Sequence, residues 1–211
     1  MISLFIDTAL SYTRIAIIKE NKLIDEINEY SDKDLSKQFM KKVEDILNKN
    51  DIEIDDIKNI YCVTGPGSFT GIRVGMTFVK VLGFSKKIDI VPISELQVLA
   101  TTKVKSEFIA PLINARRGYV YAGLYDSNLN AVQKDKYIKL EDFLENIKEK
   151  NVSFVSYDEF ENINIEEPKI NIIDIVNKNK DSKRVNAHVL IPNYLKDTEA
   201  EEKLREKQKN D

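Results

Sequence analysis

Three features of the amino-acid sequence predict an α/β fold made of two lobes, each with a mixed sheet flanked by helices. The first half reads as three strands followed by alternating helices and strands (βββ-α-β-α-β-α), a ribonuclease-H-like order. Short turns join the first three strands, which predicts an antiparallel meander. The second half partly repeats the pattern as βββ-α-β, and two such lobes in tandem form the actin-like ATPase (ASKHA) architecture. We therefore predict an N-terminal ribonuclease-H-like lobe over residues 1–105, a smaller C-terminal lobe over 106–195 and a charged helix or tail over 196–211.

The first lobe begins with three apolar stretches separated by turn residues, "ISLFIDTA", "TRIAIIKE" and "KLIDEINEY". Their β-branched and apolar residues predict strands. A helix is predicted from Asp34 to Lys49, because apolar residues recur there at spacings of three and four. Ser31 or Asp32 is the predicted N-cap of this helix.

Two further strands and two further helices complete the first lobe. "NIYCVT" and "IDIVPI" are the predicted strands, and a helix from Gly71 to Phe84 lies between them. The last helix begins at "SELQ", where Ser94 and Gln97 have the spacing of a capping box.

The second lobe is predicted from a weaker repeat of the same pattern. "EFIAPLINA" and "YVYAGLYD" are strands joined by a turn at residues 116–118, and "KDKYIK" is a third, weaker strand. The helix "LEDFLENIKE" and the strand "VSFVSY" follow. Residues 158–183 predict only one or two elements between Asn-rich loops.

Composition limits the classes of function. The chain is 42% hydrophobic and 32% charged with a net charge of −3, which is typical of a soluble protein and not of an autonomous nucleic-acid binder. Its apolar runs are too short to span a membrane, and its first residues do not resemble a signal peptide. Cys62 is the single cysteine, and His188 has no histidine or cysteine near it. We therefore expect a cytoplasmic protein with no membrane association, no disulfide and no metal site of its own.

The segment "TGPGSFTGIRVG" contains four of the seven glycines and raises the question of a phosphate site. A P-loop would require lysine after Gly71, where the sequence has Ile72, and the Rossmann spacing is exceeded by one residue. Ser68 or Thr70 can cap the following helix, whose N–H groups could bind an anion. A phosphate, a carboxylate of a partner and a purely structural turn all remain open.

The helix after this loop carries a stronger signal. Apolar residues lie on nearly all its sides, so it is expected to be buried on more than one. One side would pack on the sheet, and the other requires the neighbouring helix or another chain. Gly71, Gly75 and Gly83 would permit close packing of the helix. This pattern predicts a partner interface.

Four motifs resemble a known family. "GPGSFTGIRVGMTFVKVLG" closely resembles the signature of the bacterial TsaB (YeaZ) proteins, the dimerisation subunit of the tRNA threonylcarbamoyladenosine (t6A) synthase complex. "LFIDTALSYTRIAI" is similar to the opening strand of that family, "INARRGYVYAGLYD" to its "DARRGEVYVA" segment and "IPNYLKD" to its C-terminal "PxYLR". Together these motifs extend over most of the chain.

The resemblance implies an actin-like fold and a role in placing the threonylcarbamoyl group beside the anticodon of ANN-decoding tRNAs. It implies a non-catalytic scaffold that binds and positions the catalytic paralogue TsaD, with the ATPase TsaE and the tRNA reached through the complex. A homodimer is expected when the chain is alone. No cofactor of its own is expected, while ATP or ADP and a metal are expected on the partner subunits.

The resemblance also assigns roles to residues, with none catalytic. The two N-lobe helices would form the partner interface through Leu35, Phe39, Met40, Val43, Ile72, Val74, Gly75, Phe78, Val79 and Leu82. The signature loop would consist of Gly65, Pro66, Gly67, Ser68, Phe69, Thr70, Gly71 and Arg73. Asp7 and Arg116 are the candidates for a residual ligand contact, although Asn114 and Tyr119 depart from the acidic residues that the family often has nearby.

Enzymatic alternatives lack some of the groups they require. An actin-like ATPase or small-molecule kinase is the main alternative, but Asp7-Thr8-Ala9 lacks the phosphate-binding glycine and the second lobe lacks an acid for Mg²⁺. A two-metal nuclease would require further carboxylates at the strand ends, and a metalloprotease would require paired histidines. A self-associating module unrelated to tRNA is the third alternative.

Overall fold

The computed structural model describes residues 1–31 and 34–196, and within them the chain forms two five-stranded sheets. The first sheet has the order β3-β2-β1-β4-β5. Its strands are β1 (Ile2–Asp7), β2 (Tyr12–Lys19), β3 (Lys22–Tyr30), β4 (Ile57–Gly65) and β5 (Asp89–Ser94). The helices that accompany it are α1 (Leu35–Lys49), α2 (Phe69–Lys86) and α3 (Glu95–Leu99).

The second sheet has the order β10-β9-β6-β7-β8. Read from its other end, as β8-β7-β6-β9-β10, it repeats the order of the first sheet. Its strands are β6 (Phe108–Asn114), β7 (Tyr119–Asp126), β8 (Ala131–Lys139), β9 (Val152–Val155) and β10 (Ile165–Glu166). Helices α4 (Leu140–Ile147) and α5 (Ile172–Asn179) complete the fold. In both sheets the first strand pairs antiparallel with the second and parallel with the fourth. The predicted duplication and the α/β two-lobe fold are confirmed.

One predicted helix cap and one predicted capping box are wrong. Helix α1 has Asp34 at its N-cap, and the Ser31 hydroxyl instead forms a hydrogen bond of 2.8 Å with that of Thr13, across β3 and β2. Asp32 lies outside the described residues. Ser94 is the N-cap of α3 by position, but no capping box forms, because its hydroxyl donates to the Asp135 carboxylate. The predicted cap of α2 is confirmed at Ser68, whose Oγ accepts from the Gly71 N–H at 3.2 Å.

Helix α2 is buried on two sides, as its apolar pattern predicted. One side packs on β4, and the other packs on α1, where the rings of Phe39 and Phe78 meet edge to face at 5.5 Å. A third side remains on the surface, with Val81 61% and Phe84 66% exposed. The fold therefore buries the two sides of α2 that face the sheet and α1, and it leaves apolar residues of the third side exposed to solvent.

The chain returns to the first lobe after the second sheet. Val185 exchanges two backbone hydrogen bonds with Ile90 of β5, at 2.8 and 3.1 Å, and Asn193 donates to the carbonyl of Thr64 at 2.8 Å. Residues 185–193 thus follow the edge of the first sheet, although they belong to the second half of the sequence. The division after residue 105 stays a prediction, and residues 197–211 of the predicted charged tail lie outside the described residues.

The glycines at the start of α2 allow the β1–β2 turn to approach closely. A Cβ added at Gly67 would lie 2.2 Å from the carbonyl oxygen of Ala9, and one at Gly71 would lie 2.1 Å from that of Thr8. A Cβ added at Gly75 would lie 2.5 Å from the hydroxyl oxygen of Thr8. Only glycine leaves room for this contact, since real Cβ atoms do not approach a backbone oxygen so closely.

Replacing Gly71 with alanine is therefore expected to destabilise the protein. Alanine in an ordinary helix position would gain up to about 1 kcal/mol, but the clash with the backbone of Thr8 should reverse the sign to a loss of about 1–3 kcal/mol. Urea unfolding of Gly71→Ala measures this, with Thr77→Ala on the exposed side of α2 as the control that changes stability by less than about 0.5 kcal/mol. A variant as stable as the parent would contradict the close approach.

Candidate functional site

A cleft of about 640 Å³ opens between the two lobes. The β1–β2 turn and the first turn of α2 form one wall, and the β6–β7 turn with Asp158 forms the other. Asp158 accepts a hydrogen bond of 2.8 Å from the Asn114 N–H, and the Asn114 side chain accepts one of 2.8 Å from the Arg116 N–H. The cleft is therefore lined by residues of both lobes.

The glycine loop uses its polar groups within the chain. The Ser68 N–H donates to the carbonyl of Ala9 at 2.7 Å, and the Thr8 hydroxyl donates to the carbonyl of Gly71 at 2.7 Å. The Gly71 N–H donates to the Ser68 side chain. An anion at this helix end would compete with these contacts, so the geometry favours a structural turn over a phosphate site.

The outer side of the loop is held by the C-terminal segment. The ring of Phe69 stacks on that of Tyr194 at 5.2 Å, and the Arg73 guanidinium lies 3.7 Å from the centre of the Phe69 ring. Arg73 also donates from Nε to the Tyr194 hydroxyl at 3.1 Å. Two motifs of the sequence, the glycine loop and "IPNYLKD", are therefore parts of one contact.

Beneath the cleft lies a buried cluster of ionisable groups. Arg14 of β2 donates to the carboxylate of Asp7 on β1, and its second terminal nitrogen donates to the Tyr157 hydroxyl at 2.7 Å. Glu95 of α3 lies 3.6 Å from the same guanidinium. Asp7, Arg14 and Glu95 are all 0% exposed. The Asp7 carboxylate also accepts from the Ala9 N–H at 2.9 Å, which fixes the β1–β2 turn.

The charges of this cluster are settled by burial and proximity. Burial raises the pKa of Glu95 well above its ordinary value, and the neighbouring Asp7 charge raises it further, while Arg14 lowers it. Burial alone would lower the pKa of Arg14, but the carboxylates of Asp7 and Glu95 outweigh it and raise that pKa. The cluster thus holds the contact between Arg14 and Asp7 beside Glu95, whose protonated form is favoured by burial. Neither oxygen of Glu95 has a hydrogen-bond partner among the described residues.

The two candidate ligand residues differ in access. Asp7 is covered and engaged on both oxygens, whereas Arg116 is exposed and lines the cleft. The role of each toward a ligand stays a prediction. Arg14, Glu95 and Tyr157 were missed by the sequence reasoning, and the one available signal was a charged Arg14 inside the apolar run of "TRIAIIKE".

The residues predicted for the partner interface are distributed between core and surface. Buried inside the chain are Phe39, Val43, Ile72, Gly75, Phe78, Val79 and Leu82. Leu35 and Val74 are partly exposed, and Met40 is 58% exposed. The interface itself stays a prediction, and within this chain the buried members serve to hold α1 and α2 on the sheet.

Helix α2 carries a narrow apolar strip on its outer side. We call Val74, Thr77, Val81 and Phe84 the α2 outer strip; all are at least partly exposed and they are spaced three, four and three residues apart. Such spacing places side chains along one line of a helix and is the seam by which two helices pack. Sequence reasoning missed Val81 and Phe84 as surface residues, because the direction from which α1 covers α2 is a tertiary fact.

Other reactive groups are few in the part of the chain that the structure describes. No group of three or more His, Cys, Asp or Glu residues there has an arrangement that could hold a metal. Burial raises the pKa of the Cys62 thiol, and His188 packs its ring against Phe84 at 5.3 Å. None of the helices formed by residues 1–31 and 34–196 is both long and apolar enough for a membrane crossing.

Sequence comparisons assign the chain to a family. The family model described as "TsaD: tRNA N6-adenosine threonylcarbamoyltransferase" matches residues 26–172. The tRNA threonylcarbamoyladenosine biosynthesis protein TsaB of Bacillus subtilis is 35% identical to this chain. The match covers 99% of this chain and 100% of the Bacillus protein. TsaB of Buchnera aphidicola from Schizaphis graminum is 31% identical, over 71% of this chain and 75% of its own.

Solved structures agree in fold. YeaZ from Pseudomonas aeruginosa superimposes with a TM-score of 0.77 at 19% identity, over 92% of this chain and 99% of its own. A second Pseudomonas aeruginosa structure, described as an uncharacterized protein with similarity to peptidase YEAZ, gives the same score at 18% identity and the same coverage. The fold of YeaZ and the full-length match to TsaB confirm the resemblance: the chain belongs to the TsaB (YeaZ) family of tRNA threonylcarbamoyladenosine biosynthesis proteins.

Proposed function

We propose that the chain is a non-catalytic subunit in the synthesis of N6-threonylcarbamoyladenosine beside the anticodon of tRNA, and that it binds and positions TsaD. The observation that carries this proposal is the α2 outer strip, an apolar helix seam left on the surface of a folded chain. Membership in the TsaB family and the match to the TsaD family model support it, because related chains with the same helices can pair through equivalent surfaces.

The physical case rests on exposed apolar area. Val81 and Phe84 are more than half exposed, and removing such side chains from water contributes about 1.5–3 kcal/mol each. Met40 on the neighbouring helix α1 is exposed as well. A partner helix laid along α2 would bury this surface with the seam spacing of a helix pair. When TsaD is absent, the same seam can pair with a second copy of the chain.

Further partners belong to the assembled complex. We infer that TsaE and the tRNA are recruited by the assembled complex in the cytoplasm, and that ATP or ADP and the metal are held by the partner subunits. Family membership is the support for this part of the proposal. No step of the transfer reaction is assigned to residues of this chain.

An actin-like ATPase or small-molecule kinase is the second candidate, favoured by the cleft between the lobes. The carboxylate that such an enzyme would offer at the end of β1 is Asp7, which is buried and paired with Arg14. A magnesium ion would have to displace the guanidinium from a site that solvent does not reach. This cost speaks against nucleotide chemistry in the cleft.

Hydrolysis of peptides finds little support in the side chains. The Cys62 thiol is buried and its pKa is raised, so a thiolate nucleophile is disfavoured there. The single histidine, His188, lies against Phe84 on the surface and not beside Cys62 or Ser68. These side chains therefore favour the scaffold proposal over a peptidase activity.

Substitution of Val81 by glutamate is expected to weaken the complex with TsaD at least about tenfold, which corresponds to about 1.4 kcal/mol. The charge would have to be desolvated in the seam, while the exposed position should leave folding intact. Copurification and titration with TsaD measure the loss. Val132→Glu makes the same change on the second lobe, at a valine that is 44% exposed, and should leave binding unchanged. Equal binding of both variants would refute the seam, and sedimentation of Val81→Glu tests self-association in the same way.

The purified chain alone is expected to hydrolyse no ATP in the presence of Mg²⁺. Asp7→Ala should instead lower the free energy of unfolding by about 3–5 kcal/mol, because it leaves the Arg14 guanidinium buried without its partner. Phosphate release and urea unfolding measure the two effects. Turnover that Asp7→Ala abolishes without loss of stability would restore the ATPase alternative.

Glu95→Gln is expected to change how stability depends on pH. The folded chain keeps a proton on Glu95 above its unfolded pKa of about 4.5, so this group contributes most stability below that pH and the contribution falls as pH rises toward the raised folded pKa. Glutamine at position 95 does not titrate, so the variant does not lose stability in this way. The free energy of unfolding of the variant, relative to that of the parent, should therefore increase as pH rises, by up to about 1.4 kcal/mol per pH unit. Unfolding free energies from about pH 5 to pH 8 test it, with the exposed Glu107→Gln as control; a difference that does not change with pH would contradict the buried neutral carboxyl.

A further inference from the structure

Three tyrosines lie together on the second sheet. Tyr119 and Tyr121 of β7 are on the same face of the strand, and Tyr121 is paired in register with Tyr137 of β8. The rings of Tyr119 and Tyr137 stack at 4.7 Å, and those of Tyr121 and Tyr137 meet at 5.6 Å. All three remain partly exposed. The alternate residues of β7 belong to the core under α4, and of the three tyrosines Tyr121 packs in part against the main core.

Four basic residues neighbour these tyrosines in sequence, in strand register or in space. Arg116 and Arg117 form the turn that leads into Tyr119, and Lys139 is paired opposite Tyr119 on β8. The Lys196 ammonium lies 5.4 Å from the centre of the Tyr137 ring. Within residues 1–31 and 34–196, none of the four cations lies within 4.0 Å of a carboxylate oxygen. Positive charge is thus concentrated here although the chain as a whole carries a net charge of −3.

The arginine turn has an unusual backbone. Arg116, Arg117 and Gly118 have φ values of 69°, 53° and 75°, which is a left-handed conformation that residues with a Cβ disfavour. The turn is closed by a hydrogen bond of 2.9 Å from the Ala115 N–H to the Tyr119 carbonyl. Asparagine or glycine would adopt this turn more readily, so the two arginines add strain at a position directly before Tyr119.

We propose that these seven residues, the tyrosine–basic face, bind an unpaired RNA loop, with bases stacked on the tyrosine rings and phosphates held by the cations. Aromatic side chains on neighbouring strands of a sheet, flanked by Arg and Lys, are the combination by which proteins bind single-stranded RNA. An acidic protein surface would satisfy the cations but has no use for three flat rings. Tyr121 and Arg116 also line the cleft, so the face continues into it. The choice of RNA over single-stranded DNA as the ligand rests on the proposed function.

The test uses the purified full chain and a fluorescein-labelled RNA hairpin with an unpaired loop. Fluorescence anisotropy at low salt should show tighter binding to the hairpin than to the same stem as a fully paired duplex. Arg117→Glu should weaken hairpin binding about tenfold, and less at higher salt, because a phosphate contact is replaced by repulsion. Lys105→Glu reverses an exposed charge at the opposite end of β6 and should leave binding unchanged.

A second pair of variants separates stacking from charge. Tyr137→Leu should weaken hairpin binding about tenfold, within the range measured for loss of one base–aromatic stack, whereas Tyr137→Phe keeps the flat ring and should retain binding. Equal binding of hairpin and duplex, or equal affinity of Tyr137→Leu and Tyr137→Phe, would overturn the proposal. Failure of TsaD to copurify would instead remove the proposed function without touching these affinities. If Arg117→Glu loses TsaD while its RNA affinity is unchanged, the face binds an acidic protein and the proposal fails.

Discussion

The buried ion pair between Arg14 and Asp7 holds the β1–β2 turn and connects it to the second lobe. It lies at the end of β1, where the strand turns into β2, and it reaches the second lobe through the Tyr157 hydroxyl. A cation buried this deeply must keep its partners, since loss of one would leave a charge in an apolar interior. The pair therefore fixes the β1–β2 turn, and that turn in turn receives the glycines of α2.

This order of dependence gives the glycine loop a structural explanation. Gly67 and Gly71 face backbone carbonyls of the β1–β2 turn at distances that exclude a side chain, and the N–H groups of Ser68 and Gly71 are used within the chain. A cleft between the lobes is present, but the carboxylate at the end of β1 is engaged in an internal ion pair. The surfaces that we propose for recognition are the outer side of α2 and the tyrosine–basic face.

The sequence predicts the strands and helices well where local patterns determine them, and less well where tertiary contacts do. The meander, the helix from Asp34 and the repeat in the second half follow from alternation and spacing, and all are present. The capping box at Ser94 fails because Asp135, from the other lobe, attracts its hydroxyl. The Arg14 cluster could not be predicted, because its members come from four separate segments that only the fold brings together.

The returning segment has a consequence for synthesis of the protein. Among the described residues, Val185 pairs with the outer edge of β5, and the glycine loop is covered by the β1–β2 turn on one side and by Asn193 and Tyr194 on the other. In a nascent chain that emerges from the ribosome in order, that edge of the first lobe therefore stays unpaired until residues 185–193 have been translated. During this interval Pro92 within β5 lacks the N–H that a foreign strand would need, so the unfinished edge is guarded against pairing with other nascent chains.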